Sequence, residues 1–114
     1  QIKLVSPAAP YFDGCDLLIA ADCTAYAYGN FHSEFMRGEV TLIGCPKLDA
    51  VQYAEKLTEI FARNDIRSVT LTRMEVPCCG GMEFAIHTAL EQAGKQIPFR
   101  TVVLSIDGAV LEER

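Results

Sequence analysis

Apolar residues recur along this chain in two alternating rhythms. Asp16–Ala21, Val40–Ile43 and Ser68–Arg73 are short, nearly unbroken runs of aliphatic and β-branched residues, the mark of strands buried on both faces. Phe99–Ile106 forms a fourth such run. Between them the apolar positions change to helical spacing. Tyr28, Phe31 and Phe35 predict a helix over 24–36 that Gly29 weakens and Gly38 stops. Leu48, Val51, Ala54, Leu57 and Phe61 predict one over 46–64, with Pro46 at its first position and Cys45 near its N-cap. Met82, Ile86, Ala89 and Ala93 predict a third over 82–93, ended by Gly94 in a left-handed cap. Ile2–Val5 alternates and reads as a short edge strand, and Pro7 and Pro10 mark 6–14 as a loop. Asp107-Gly108 is a hairpin signal leading into 109–111.

Strand and helix alternate three times with short connections. That order predicts one three-layer α/β domain over 1–114, Rossmann-like or flavodoxin-like, with a mainly parallel sheet of four to five strands and a C-terminal hairpin. If strand 16–21 is central, with 40–43 on one side and 68–73 on the other, the segments after all three leave neighbouring strands. No linker, low-complexity segment or fixed-period repeat interrupts the pattern.

Composition narrows the function classes. With 114 residues, half of them hydrophobic, the chain can bury a core without staples. A net charge of −5 and the lack of any Lys/Arg-rich stretch argue against nucleic acid. No apolar run approaches the ~20 residues of a membrane span. Five cysteines in such a chain fit reduced thiols in a cytoplasmic setting better than a disulfide scaffold. The first residue, Gln1, is not Met, as expected of a fragment or processed chain.

The cysteines carry the candidate chemistry. Cys23, Cys45 and the pair Cys78-Cys79 each follow a predicted strand, so all four are expected at the C-terminal edge of a parallel sheet, where ligands bind. Four convergent thiolates suit an iron–sulfur cluster or zinc. Backbone N–H groups at a helix start favour thiolate, and Gly44, Gly80 and Gly81 are expected to let the backbone approach a cofactor. In an extended chain, adjacent side chains point to opposite faces, so Cys78 and Cys79 share one ligand only if the backbone turns between them. Cys15 precedes its strand by position and is expected at the opposite edge, roughly 20–25 Å from Cys23. His32 and His87 are expected roughly 12–14 Å down their helices, as surface or core side chains. Lys47 and Arg73 are expected near the edge, either beside an anionic cluster or as solvated charges.

Zinc lacks the close C-x2-C pairs that structural sites use. A thiol enzyme would use one activated cysteine and leave three unexplained. There is no acid–base pair at the edge and no dinucleotide fingerprint.

The stretches ADCTAYAYGNFH (21–32), IGCPKLD (43–49) and EVPCCGG (75–81) resemble the C-terminal cysteine-rich domain of bacterial and archaeal ferredoxin-type iron–sulfur proteins. The resemblance covers essentially the whole chain. It implies a cluster on Cys23, Cys45, Cys78 and Cys79, with 4Fe–4S favoured over 2Fe–2S, and an electron-transfer role beside a redox partner protein or an attached ferredoxin module. The module's C-x2-C-x2-C-x3-C-P runs do not occur here, and Cys15 stands where that family has a small apolar residue. The Cys45-x32-Cys78-Cys79 spacing is also similar in part to CCG domains of heterodisulfide reductase-type proteins, whose closing C-x2-C is missing. Two alternatives stay open: a redox enzyme subunit acting on a small molecule or disulfide at an open iron, and a zinc-binding structural domain.

Overall fold

A computed structural model describes residues 1–46, 53–77 and 80–114. Its centre is β1 (Asp16–Ala21), where Leu17, Leu18 and Ile19 are fully buried and Ala20 and Ala21 nearly so. A strand whose side chains are buried on both faces needs a covering layer on each. β1 pairs in parallel with β2 (Val40–Gly44) on one side and β3 (Ser68–Met74) on the other. β4 (Phe99–Leu104) continues the parallel sheet beside β3, and β5 (Val110–Glu113) closes it antiparallel to β4. The order β2-β1-β3-β4-β5 is therefore that of a mostly parallel, flavodoxin-like α/β sheet with a C-terminal hairpin.

The two covering layers are unequal. α2 (Tyr53–Arg63) and α3 (Gly80–Ala93) both lie on the face of Leu17, Ile19, Val69 and Leu71. The buried stripe on α2 is Tyr53, Leu57, Ile60 and Phe61, at helical spacing. The opposite face, lined by Leu18, Ala20, Val102 and Leu104, is covered mainly by Phe31 and Phe35. From β1 the chain moves one way to β2 and then back the other way to β3. Crossovers of uniform hand must then use opposite faces, as they do.

The helix expected over 24–36 is broken. α1 (Thr24–Ala27) ends where Tyr28 turns extended, and a single π-helical turn (His32–Met36) follows, closed by Arg37 N–H donating to the His32 carbonyl at 3.0 Å. Gly29-Asn30 offers little helix propensity, and the wide turn keeps Phe31 and Phe35 on the sheet. The aromatic face survives the break, with ring centroids 5.4 Å apart for Tyr28–Phe35 and 5.5 Å for Phe31–Phe35.

Ile2–Val5 is not an edge strand. Leu4 and Val5 N–H groups both donate back to the Gln1 carbonyl, which makes a turn, and only Ile2 N–H reaches the sheet, at the Ile43 carbonyl. Ile2 is nevertheless fully buried, a plug at the edge of β2. Gly94 adopts the left-handed cap with φ 67°. The hairpin turn needs Gly108 twice over: φ is 89°, and a Cβ there would stand 2.5 Å from the Ala27 carbonyl oxygen. The helix expected from residue 46 is described from Tyr53 onward, and Leu48 and Val51 lie outside the described residues. Among the described residues no helix is long and apolar enough to cross a membrane.

At the N-terminal edge, Asp16 accepts from Arg67 Nε at 3.0 Å, from Arg67 Nη2, and from Ser68 Oγ at 2.7 Å. The Arg67 and Ser68 hydrogen bonds lower its pKa from 3.8 to about 2. A depressed folded-state value stabilises the fold above the unfolded pKa, and that contribution disappears as pH falls through the folded one. The stability gap between wild type and Asp16→Asn should therefore be full above 3.8 and close as pH approaches about 2, read from urea midpoints across that range.

Candidate functional site

The C-terminal ends of β1, β2 and β3 are neighbours, and β1 and β3 bracket the point where strand order reverses. In an open α/β sheet this is the ligand crevice. Register puts Ala21 of β1 opposite Gly44 of β2, and the pairing runs on one bond further, from Asp22 N–H to the Gly44 carbonyl at 3.0 Å. Cys23 and Cys45 thus leave adjacent strand ends. Cys23 is exposed, Cys45 is half-buried, and both are free thiols.

Buried hydroxyls hold the two cysteine-bearing corners. Thr24, fully buried, donates to the Ala21 carbonyl at 2.8 Å. Its single proton is then used, so the Thr72 hydroxyl, 3.1 Å away, is the donor to Thr24. This pair stitches the residue after Cys23 to β3 across the switch point. At the second corner, Cys45 N–H donates to the Tyr53 hydroxyl at 2.9 Å. Tyr53 is buried, so α2 reaches under the end of β2 and fixes the backbone that presents Cys45.

The three glycines expected to face a cofactor have neighbours of different kinds. A Cβ on Gly44 would stand 2.9 Å from the Tyr53 hydroxyl and 3.1 Å from Ile2 Cδ1, so close packing toward the core already requires glycine there. On Gly81 it would stand 3.5 Å from Pro46 Cβ, which brings the start of α3 against the residue that follows Cys45. On Gly80 it would stand 3.9 Å from Arg73 Nη1. Cys78 and Cys79 lie outside the described residues, as does Lys47. Among the described residues no group of three or more His, Cys, Asp or Glu side chains could hold a metal ion. The described part of the expected ligand set is Cys23 and Cys45.

Arg73 is not a solvated surface charge. Its side chain is 15 % exposed and donates to Glu83 Oε1 at 3.1 Å, and Arg114 donates to the other oxygen of that carboxylate at 2.6 Å. Burial pushes the Glu83 pKa up, but the Arg73 and Arg114 hydrogen bonds outweigh it and the net shift is downward. His87 stands one turn along α3 from Glu83, with its ring edge-on to Phe99 at 5.0 Å. His32 is exposed at the start of the π-helical turn. Cys15 is half-buried against the main core at the other end of β1, its pKa raised by burial and then by Asp16. Sequence reasoning missed Tyr53, Thr24, Thr72 and Glu83. Only Tyr53 had a readable signal, since it heads the i, i+4, i+7 stripe with Leu57 and Ile60.

These features define an α/β protein of the Rossmann-like class with a thiol-bearing C-terminal edge. The chain belongs to the Rossmann-like domain family, which matches over residues 9–114. It is 34 % identical over 111 residues to an uncharacterized protein of Archaeoglobus fulgidus, covering 96 % of this chain and 78 % of that one. No solved structure gives a significant match.

The packing at Gly44 makes a stability test of the second corner. Gly44→Ala must displace Tyr53 and should cost roughly 1–3 kcal/mol. Gly29→Ala, with nothing within 4 Å of the new methyl, should leave stability unchanged or slightly raised, as read by urea denaturation.

Proposed function

We propose that the chain is an iron–sulfur electron-transfer domain whose cluster is held by Cys23, Cys45, Cys78 and Cys79 in a reducing, cytoplasmic compartment. The carrying observation is convergence. The loops after β1, β2 and β3, which contain these four cysteines, leave one edge of the sheet from neighbouring strands at the switch point. The contact between Pro46 and the Gly81 position adds to it, because Pro46 is bonded to Cys45 and the segment Cys79-Gly80-Gly81 is continuous. The likeness of the three motifs to ferredoxin-type iron–sulfur proteins supports an iron–sulfur cluster as the cofactor.

The donor set fits the group. Thiolates are the ligands of both common cluster types, with 4Fe–4S favoured here over 2Fe–2S, and the described thiols Cys23 and Cys45 are free and accessible. Such a cluster supplies reversible one-electron transfer when bound. The protein's own work is positional. Tyr53 fixes the backbone at Cys45, and the Thr24–Thr72 pair fixes the corner after Cys23. The chain's net charge is −5, so a redox partner with a basic patch is the complementary match, and added salt weakens that contact.

Protein purified without oxygen should be brown, with broad charge-transfer absorption bleached by reductant. Cys15→Ser should keep the cluster, while Cys45→Ser should lose or distort it. Colourless protein carrying one zinc per chain would defeat this reading in favour of a structural metal site. An EPR signal that changes on adding a thiol would instead favour substrate chemistry at an open iron.

A further inference from the structure

Arg73 closes β3 next to its final residue, Met74, and its guanidinium reaches both ends of the segment between β3 and α3. Toward the start of that segment, Nε donates to the Met74 carbonyl at 3.2 Å and Nη2 reaches the Val76 carbonyl at 3.5 Å. Toward its end, Nη1 donates to Glu83 in the first turn of α3, and both Nη atoms lie about 4 Å from where a Gly80 Cβ would stand. A methyl group at residue 80 would make ordinary van der Waals contact with this fork. Glu83 is held in turn by Arg114 from the end of the chain's last strand. The Arg73 and Glu83 side chains are only 15 % and 17 % exposed, so the pair is far less screened than a surface ion pair. A planar, bidentate cation can brace two chain segments at once in a way a lysine cannot.

We infer that Arg73 is a positioning residue that ties the end of β3, at Met74 and Val76, to the first turn of α3, at Gly80 and Glu83, the described residues on either side of Cys78 and Cys79 in the sequence. The inference rests on the iron–sulfur reading for what those thiols hold. The brace itself is set by the described residues on either side. Arg73 also puts a fixed positive charge at the segment's exit, which favours the more negative, reduced state of a bound cluster.

Wild type, Arg73→Lys, Arg73→Met and Glu83→Gln should be compared by amide hydrogen exchange in cluster-free protein. Loss of the fork should speed exchange of amides in 75–83 by about tenfold in Arg73→Met, with 68–72 unchanged. Arg73→Lys should exchange faster too, because it keeps the charge and loses the planar fork. Glu83→Gln reports on the same brace if Arg73→Met does not fold. After anaerobic reconstitution, Arg73→Met should release iron to a chelator several-fold faster and show a more negative midpoint potential, while Arg73→Lys keeps a potential near wild type. Wild-type exchange over 75–83 in the cluster-free variants overturns the inference, as does an unshifted potential in reconstituted Arg73→Met. A wild type that takes up neither iron nor sulfide defeats the iron–sulfur reading instead, and the cluster-free exchange comparison then decides Arg73 alone.

Discussion

Burial of β1 on both faces is the constraint from which the rest of the fold follows. Leu17 and Ile19 require one covering layer, and Leu18 and Ala20 require another. A parallel strand cannot be joined to its neighbour by a tight turn, so each connection must travel back across a face of the sheet. Those return journeys supply the covering layers. They also force the four parallel strands β1 to β4 to end at the same edge, which is why the described residues after β1, β2 and β3 leave neighbouring strand ends although the sequence separates them widely.

The asymmetry of the covering layers has a local cause. α2 and α3 present long apolar stripes and pack against each other as well as the sheet. The first crossover has Gly29-Asn30 in its middle and cannot sustain a helix, so two aromatic side chains take over the burial. Phe31 and Phe35 are each large enough to cover sheet area that a helix would otherwise fill. The hairpin turn then packs against this thin layer, where Gly108 meets the Ala27 carbonyl.

The two edges of the sheet differ in electrostatic character. At the N-terminal edge, Asp16 is paired with Arg67 and Ser68, and Cys15 is a thiol that burial makes harder to ionise. At the C-terminal edge the polar groups act mainly on the backbone. The Thr24 and Tyr53 hydroxyls and the Arg73 guanidinium each bind main-chain carbonyls or N–H groups at a strand end. Such bonds give loop corners a defined geometry.

Strand positions were legible in the sequence because burial on both faces leaves an unbroken apolar run, and the observed β1 coincides with the expected 16–21. The parallel pairing around it was also legible, since alternation of strands and helices with short links allows few topologies, while the order of the strands was left to the structure. The ends were less so: 2–5 has strand-like alternation, but its N–H groups are taken by a turn onto Gln1. In the same way, the aromatic spacing at 28, 31 and 35 recorded which face is buried and not whether the backbone between stays helical. The sequence by itself determined that thiols follow three successive strands. Only the tertiary structure decided what anchors those corners, because the Tyr53–Cys45, Thr24–Thr72 and Arg73–Glu83 contacts depend on the distance and orientation of elements packed together, and residue spacing carries no information about either.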